Sequence, residues 1–139
     1  MTTTFYIGSG FQNIETVRKL AGTLMHEGLR QTYDWTQNDK TTDEEQLCAI
    51  GEAEVRGIKD ADIIVILLPG GKGTHTELGI AIAEEKKVFL YAMDNKWSDE
   101  ERKVTFYYIN GVTIIKGEMQ RLITAVKETA EGYRLSCQV

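Results

Sequence analysis

Nine consecutive residues, Pro69-Gly70-Gly71-Lys72-Gly73-Thr74-His75-Thr76-Glu77, combine the residue types and spacing that a ligand-holding turn requires. Three glycines let backbone N–H groups approach phosphate or sugar oxygens. A helix starting there would turn its positive dipole end toward the same oxygens. Glu77 then falls in the first turn of that helix, a carboxylate beside whatever the glycines hold. The stretch also has a plainer meaning, because Thr74-x-x-Glu77 fits a capping box in which Thr74 caps the helix and Glu77 reaches back to the Thr74 N–H. Both interpretations predict a helix start; only the first predicts a ligand.

A second carboxylate is out of place further upstream. Leu47, Ile50, Glu54 and Ile58 are spaced three, four and four apart, so a helical projection puts Glu54 inside an apolar stripe. Burying an unpartnered charge is costly, so Glu54 either reaches a polar cavity or takes part in a hydrogen bond, unless the helix is rotated or the side chain snorkels. Glu54 and Glu77 meeting in one pocket would supply the parts for breaking a glycosidic bond. One carboxylate attacks or stabilises the anomeric carbon, and the other positions sugar hydroxyls or handles a proton. Tyr6 stands where its phenol could orient Glu77 or pack in the core. Asp34 and Trp35 could bind and stack a nucleobase, with simple packing the alternative for Trp35. Gly8, Ser9 and Gly10, with Gly70, Gly71, Gly73 and Thr74, are the candidate cradle for the 5′ end of a substrate. His26 and His75 have no ligand partners at metal spacing and read as solvated or packed, so no metal and no organic cofactor are expected.

These residues must be positioned by alternating strands and helices. Phe5-Tyr6-Ile7 reads as a strand ending at Gly8-Ser9-Gly10, and Ile14 to Met25 as a helix stopped by Gly28. Leu29 to Trp35 is a second candidate strand, and Thr36 to Asp43 a polar loop. A helix capped by Thr42 or Asp43 follows to about Lys59. Ile63 to Leu68 is a continuous apolar run rich in β-branched residues, the pattern of a central parallel strand covered on both faces. Thr74 to about Lys86 is a third helix, Val88 to Tyr91 a fourth strand, Val112 to Ile115 a fifth, and Met119 to Ala130 a closing helix. The pattern predicts an α/β three-layer sandwich on a five-stranded parallel sheet, in the flavodoxin-like, Rossmann-like order 2-1-3-4-5. Ligands then bind at the switch point between strands one and three, where both glycine loops lie. The charged run from Asp94 to Lys103 around Trp97 falls on the same side, as a lid, or as a solvated loop or short surface helix with Trp97 packed underneath.

The bulk numbers narrow the partners. At 139 residues and 42% hydrophobic, the chain fits one domain spanning 1–139. A net charge of −5 with 16 Lys+Arg argues against nucleic-acid polymers and anionic membranes and for a small ligand. Cys48 and Cys137 form no disulfide or zinc pattern, and no signal peptide or membrane span of about 18 apolar residues is found, so a cytoplasmic location is expected.

Glu54-x-x-Gly57-Ile58-x-x-Ala61-Asp62, the apolar strand after it, Gly73-Thr74-His75-Thr76-Glu77-Leu78-Gly79-Ile80-Ala81 and Lys87-Val88 together resemble the nucleoside 2-deoxyribosyltransferase family, as do Tyr6-Ile7-Gly8-Ser9-Gly10 and Tyr33-Asp34-Trp35. The resemblance covers essentially the whole chain. It implies that Glu77 is a nucleophile forming a glycosyl-enzyme intermediate, that the substrate is a nucleoside or nucleoside 5′-monophosphate, and that the protein is a homo-oligomer in which a neighbouring subunit completes the pocket. Phe106-Tyr107-Tyr108 is a candidate aromatic patch for such contact. Two positions depart from the family pattern. Glu54 stands where the family usually has Asp, and Gly71 where transferases have Asp and deoxynucleotide hydrolases Ser. Pro69 to Glu77 is also similar to the phosphoribohydrolases that release cytokinin bases. Transfer and hydrolysis both stay open, as does a nucleotide-binding sensor that has lost turnover. Gly8-Ser9-Gly10 with Asp34 also matches part of a dinucleotide fingerprint, with Asn13 replacing its third glycine.

Overall fold

The structure, a computed structural model, describes residues 2–92 and 98–136. Its centre is the apolar run foreseen from sequence: β3, Ile63–Leu68, has all six residues buried, as does β1, Thr4–Ser9, beside it. With α/β layers on both faces, neither strand needs a polar side. Around them the strands β2 (Arg30–Gln31), β4 (Lys87–Ala92) and β5 (Val112–Lys116) complete an all-parallel sheet of order β2-β1-β3-β4-β5, as the alternation predicts. Helices α1 (Ile14–His26) and α5 (Met119–Ser136) pack together on one face, where Lys127 and Glu27 pair at 3.2 Å. Helices α2 (Glu44–Asp60) and α3 (Lys72–Ala83) pack together on the other.

Two local expectations change. The second strand is not Leu29 to Trp35 but two residues, because the Asp34 carboxylate accepts from the Thr36 N–H and hydroxyl and starts a 3-10 turn at Trp35–Gln37. A short side-chain acceptor competing with the sheet ladder ends a strand in this way. Helix α3 begins at Lys72, two residues before Thr74, with Gly71 as its N-cap and no side-chain cap. It ends at Ala83, before a left-handed Glu85 (φ 57°). The charged run after β4 contains α4 (Asp99–Arg102), a short surface helix capped by Ser98, one of the forms expected; residues 94–97, including Trp97, lie outside the described residues. Asp43 caps α2 through the Gln46 N–H, as expected.

The register sets up the ligand side. Ser9 pairs with Leu67, so β1 and β3 end together, and their exits, Gly10 and Pro69, stand side by side at the switch point. Asn13 ties the two exits, donating to the Ser9 hydroxyl and to the Pro69 carbonyl, both at 2.9 Å. Among the described residues no helix is long and apolar enough to cross a membrane.

Candidate active site

A cavity of about 970 Å³ opens where β1 and β3 end. One wall is the Gly10–Gln12 turn, a second is Gly70 to Thr74, a third is the loop from Asn38 to Thr42, and α2 closes the side with Leu47, Ile50 and Glu54. Glu77 lies at the base. It is 8% exposed, a level at which a carboxyl group requires a partner.

That partner is Tyr6. Its hydroxyl donates to Glu77 Oε2 in a short hydrogen bond, and the phenol, fully buried under the cavity, also acts on Glu54. Two close approaches allow this. A Cβ on Gly57 would sit 2.8 Å from Tyr33 Cβ and 3.1 Å from the Tyr6 ring, so only glycine lets α2 lie low enough to bring Glu54 to the pair. A Cβ on Gly8 would meet Ile66 at 3.0 Å and the Glu77 carboxyl carbon at 3.4 Å. Gly8 therefore supports Glu77 instead of lining the cavity.

The three groups perturb one another. Burial pushes the Glu77 carboxyl up to about 8; the Tyr6 hydrogen bond opposes the shift and the Glu54 charge adds to it. Burial also raises Glu54, again opposed by Tyr6. The phenol itself is driven far upward, first by burial and then by the Glu77 charge, so Tyr6 remains a hydrogen-bond donor throughout. The arrangement accommodates one negative charge more readily than two, which is how paired carboxyls come to have different protonation states.

The structure sorts the other candidates. Ser9, Gly10, Gly70, Gly71, Gly73 and Thr74 all line the cavity with Glu77 and Glu54. The capping box is not formed. Thr74 lies inside α3 and is 3% exposed, its methyl over Gly70, and Glu77 is one turn further into the helix than the spacing suggested. Glycine at the cap lacks a side-chain acceptor, which leaves the first N–H groups of α3 to a ligand or water. The Ser9 hydroxyl donates to the Leu67 carbonyl at 2.9 Å and accepts from Asn13, so it joins the strand ends. Asp34 is occupied by its turn and is not among the cavity-lining residues, which removes the geometry on which a base- or ribose-binding role would rest. Trp35 does line the cavity, with its Nε1 fixed to the Ile7 carbonyl at 2.7 Å.

Sequence reasoning missed Phe11, 55% exposed at the cavity wall, edge-on to Trp35 at 5.7 Å and covered by Lys40 Nζ at 5.3 Å. Its signal was an apolar ring directly after a glycine loop. It missed Lys72 as well, which brings a cation to the start of α3. Among the described residues no cluster of three or more His, Cys, Asp or Glu is arranged to hold a metal ion.

This geometry can be compared with known proteins. The family model described as nucleoside 2-deoxyribosyltransferase matches residues 5–117. No curated protein matches the sequence significantly. Among solved structures, the Clostridium botulinum CMP N-glycosidase BcmB is similar in fold, with a TM-score of 0.57 and 20% identity over 82% of this chain and 88% of that one. The family match spans most of the chain, and the protein is an enzyme of the nucleoside deoxyribosyltransferase kind. The chain belongs to the nucleoside 2-deoxyribosyltransferase family.

Proposed function

We propose that the protein cleaves the N-glycosidic bond of a nucleoside or nucleoside 5′-monophosphate with Glu77 as the nucleophile. The observation that carries this is the pair of carboxyls, Glu77 and Glu54, sharing one phenol at the base of a cavity rimmed by uncapped glycine turns. In its ionised form Glu77 attacks the anomeric carbon. A C–O bond forms, the C–N bond breaks, and the base departs with the bonding pair and takes up a proton. Glu54, whose carboxyl burial pushes upward, supplies that proton or positions a sugar hydroxyl. Water then releases the sugar in hydrolysis, or a second base accepts it in transfer. The Tyr6 bond keeps the Glu77 oxygen oriented between these steps. The N–H groups at the start of α3, with Lys72, favour a negatively charged 5′ end.

Incubation with a panel of nucleosides, deoxynucleosides and their monophosphates, followed by chromatography, is expected to show free base. Base release that Glu77→Ala leaves undiminished would rule out the mechanism, and no release from any substrate would rule out the activity. A second free base added to the mixture separates transfer, which yields a new nucleoside, from hydrolysis. One observation favours a binding module without turnover: a carboxyl raised to about 8 is mostly protonated at neutral pH. Saturable nucleotide binding with no base release between about pH 6 and pH 9 would select that reading.

A further inference from the structure

The His75 imidazole is not among the cavity-lining residues, yet it holds a loop that is. Its Nδ1 lies 2.8 Å from the Gly71 carbonyl oxygen and its Nε2 lies 2.7 Å from the Tyr107 hydroxyl. A carbonyl only accepts, so Nδ1 carries the proton; Nε2 of the neutral ring then accepts from the Tyr107 O–H. The rings stack at 5.9 Å and 20°, and Tyr107 is fully buried in the 3-10 turn Thr105–Tyr107 ahead of β5. The same Gly71 carbonyl also receives the first backbone bond of α3, from the His75 N–H at 3.1 Å.

Two donors on one carbonyl fix a peptide plane. In a trans peptide the N–H points opposite to the C=O, so a Gly71 carbonyl pinned along α3 aims the Lys72 N–H outward past the helix start. Gly71, Lys72 and Gly73 all line the cavity on that side. Without a side chain at position 71, and with open space around it, the plane rests, among the described residues, on these two bonds.

We propose that His75 is a positioning residue for the glycine turn, clamped between the Gly71 carbonyl and the Tyr107 hydroxyl so that the N–H group of Lys72 is aimed before a ligand arrives. That this group meets the 5′ end of a nucleoside or nucleotide rests on the proposed function; the clamp itself does not. The segment ahead of β5 thereby becomes a structural support of the cavity.

The test compares His75→Phe, which keeps a ring without hydrogen bonds, with His75→Asn, whose amide N–H falls near Nδ1, and with Tyr107→Phe. Nitrogen-15 NMR of the wild type is expected to show the Nδ1–H tautomer. The Lys72 amide resonance should move in His75→Phe, move less in Tyr107→Phe, and return toward wild type in His75→Asn. With the substrate found by the panel, KM should rise about 3- to 10-fold in His75→Phe, the effect of one lost neutral hydrogen bond, with kcat within about twofold. His75→Asn should restore KM. An Nε2–H tautomer, an unmoved Lys72 amide, or a lowered Tm with unchanged KM would overturn the proposal. If the panel yields no turnover, the proposed function fails while the NMR arm still decides the clamp.

Discussion

Replacing Glu77 by Gln should make the protein more stable in alkaline solution and inactive throughout. Burial holds the Glu77 carboxyl at about 8 in the folded protein against 4.5 as a free side chain. The folded state therefore binds this proton more tightly than the unfolded state. Its stabilisation is complete below about pH 4.5 and is lost as pH rises through about 8. Between about pH 5 and pH 8 the wild type should lose about 1.4 kcal/mol per pH unit from this site, or about 4 kcal/mol by pH 9. Glutamine mimics the protonated acid, is nearly isosteric, and still accepts from the Tyr6 hydroxyl. Its stability should lack this slope, while Glu54 contributes to both proteins and largely cancels in the difference. Urea denaturation of both at half-unit pH steps measures the gap directly. Curves that coincide near pH 5 and separate above it, with Glu77→Gln the more stable, are expected. Parallel curves, or a wild type that gains stability over this window relative to the variant, would refute the reasoning that burial dominates the Glu77 environment.

Further outcomes follow from the same geometry. If ionised Glu77 is the nucleophile, kcat/KM should rise about tenfold per pH unit below pH 8 and level above it; a flat profile from about pH 6 to pH 9 would count against that role. Tyr6→Phe removes the hydrogen bond that lowers the Glu77 carboxyl, so the rising limb should move to higher pH by about 1 to 2 units, read from the same pH–rate profile. Gly57→Ala places a methyl 2.8 Å from Tyr33 Cβ and 3.1 Å from the Tyr6 ring, and should cost about 1–3 kcal/mol in denaturation while lowering turnover by displacing Glu54. Gly71→Ser meets nothing within 4 Å on an extended backbone, so Tm should not fall; a hydroxyl at the N-cap should lower KM for a 5′-monophosphate relative to its nucleoside if the cradle holds the phosphate.

Much of the framework was legible because its signals are local and periodic. The six apolar residues of β3, the helical spacing of α1 and α2, and the glycine turns after β1 and β3 suffice for the strand order and for the side on which a ligand sits. Glu54 could be singled out because a charge inside an apolar stripe is visible in one dimension. The second strand was misjudged because a short polar side chain, Asp34, competes with backbone partners, and the α3 start because a capping pattern at Thr74 stood inside the helix, which begins from an uncapped Gly71. Sequence alone does not reveal whether Asp34 ends a strand or starts a turn, or whether Thr74 caps a helix or lies within it.

What meets what was decided in three dimensions. The sequence determined the sheet, the family and the two carboxylates, because burial patterns and turn residues act on near neighbours along the chain. Only the tertiary structure brought Tyr6, 71 residues from Glu77, into hydrogen bond with it, and only close approach at Gly57 and Gly8 made room for the pair. His75 likewise looked like a packed bystander until Tyr107, 32 residues away, took its second nitrogen. A carboxyl's protonation and a peptide plane's direction depend on the local dielectric and on partners distant in sequence, and the packed fold supplies both.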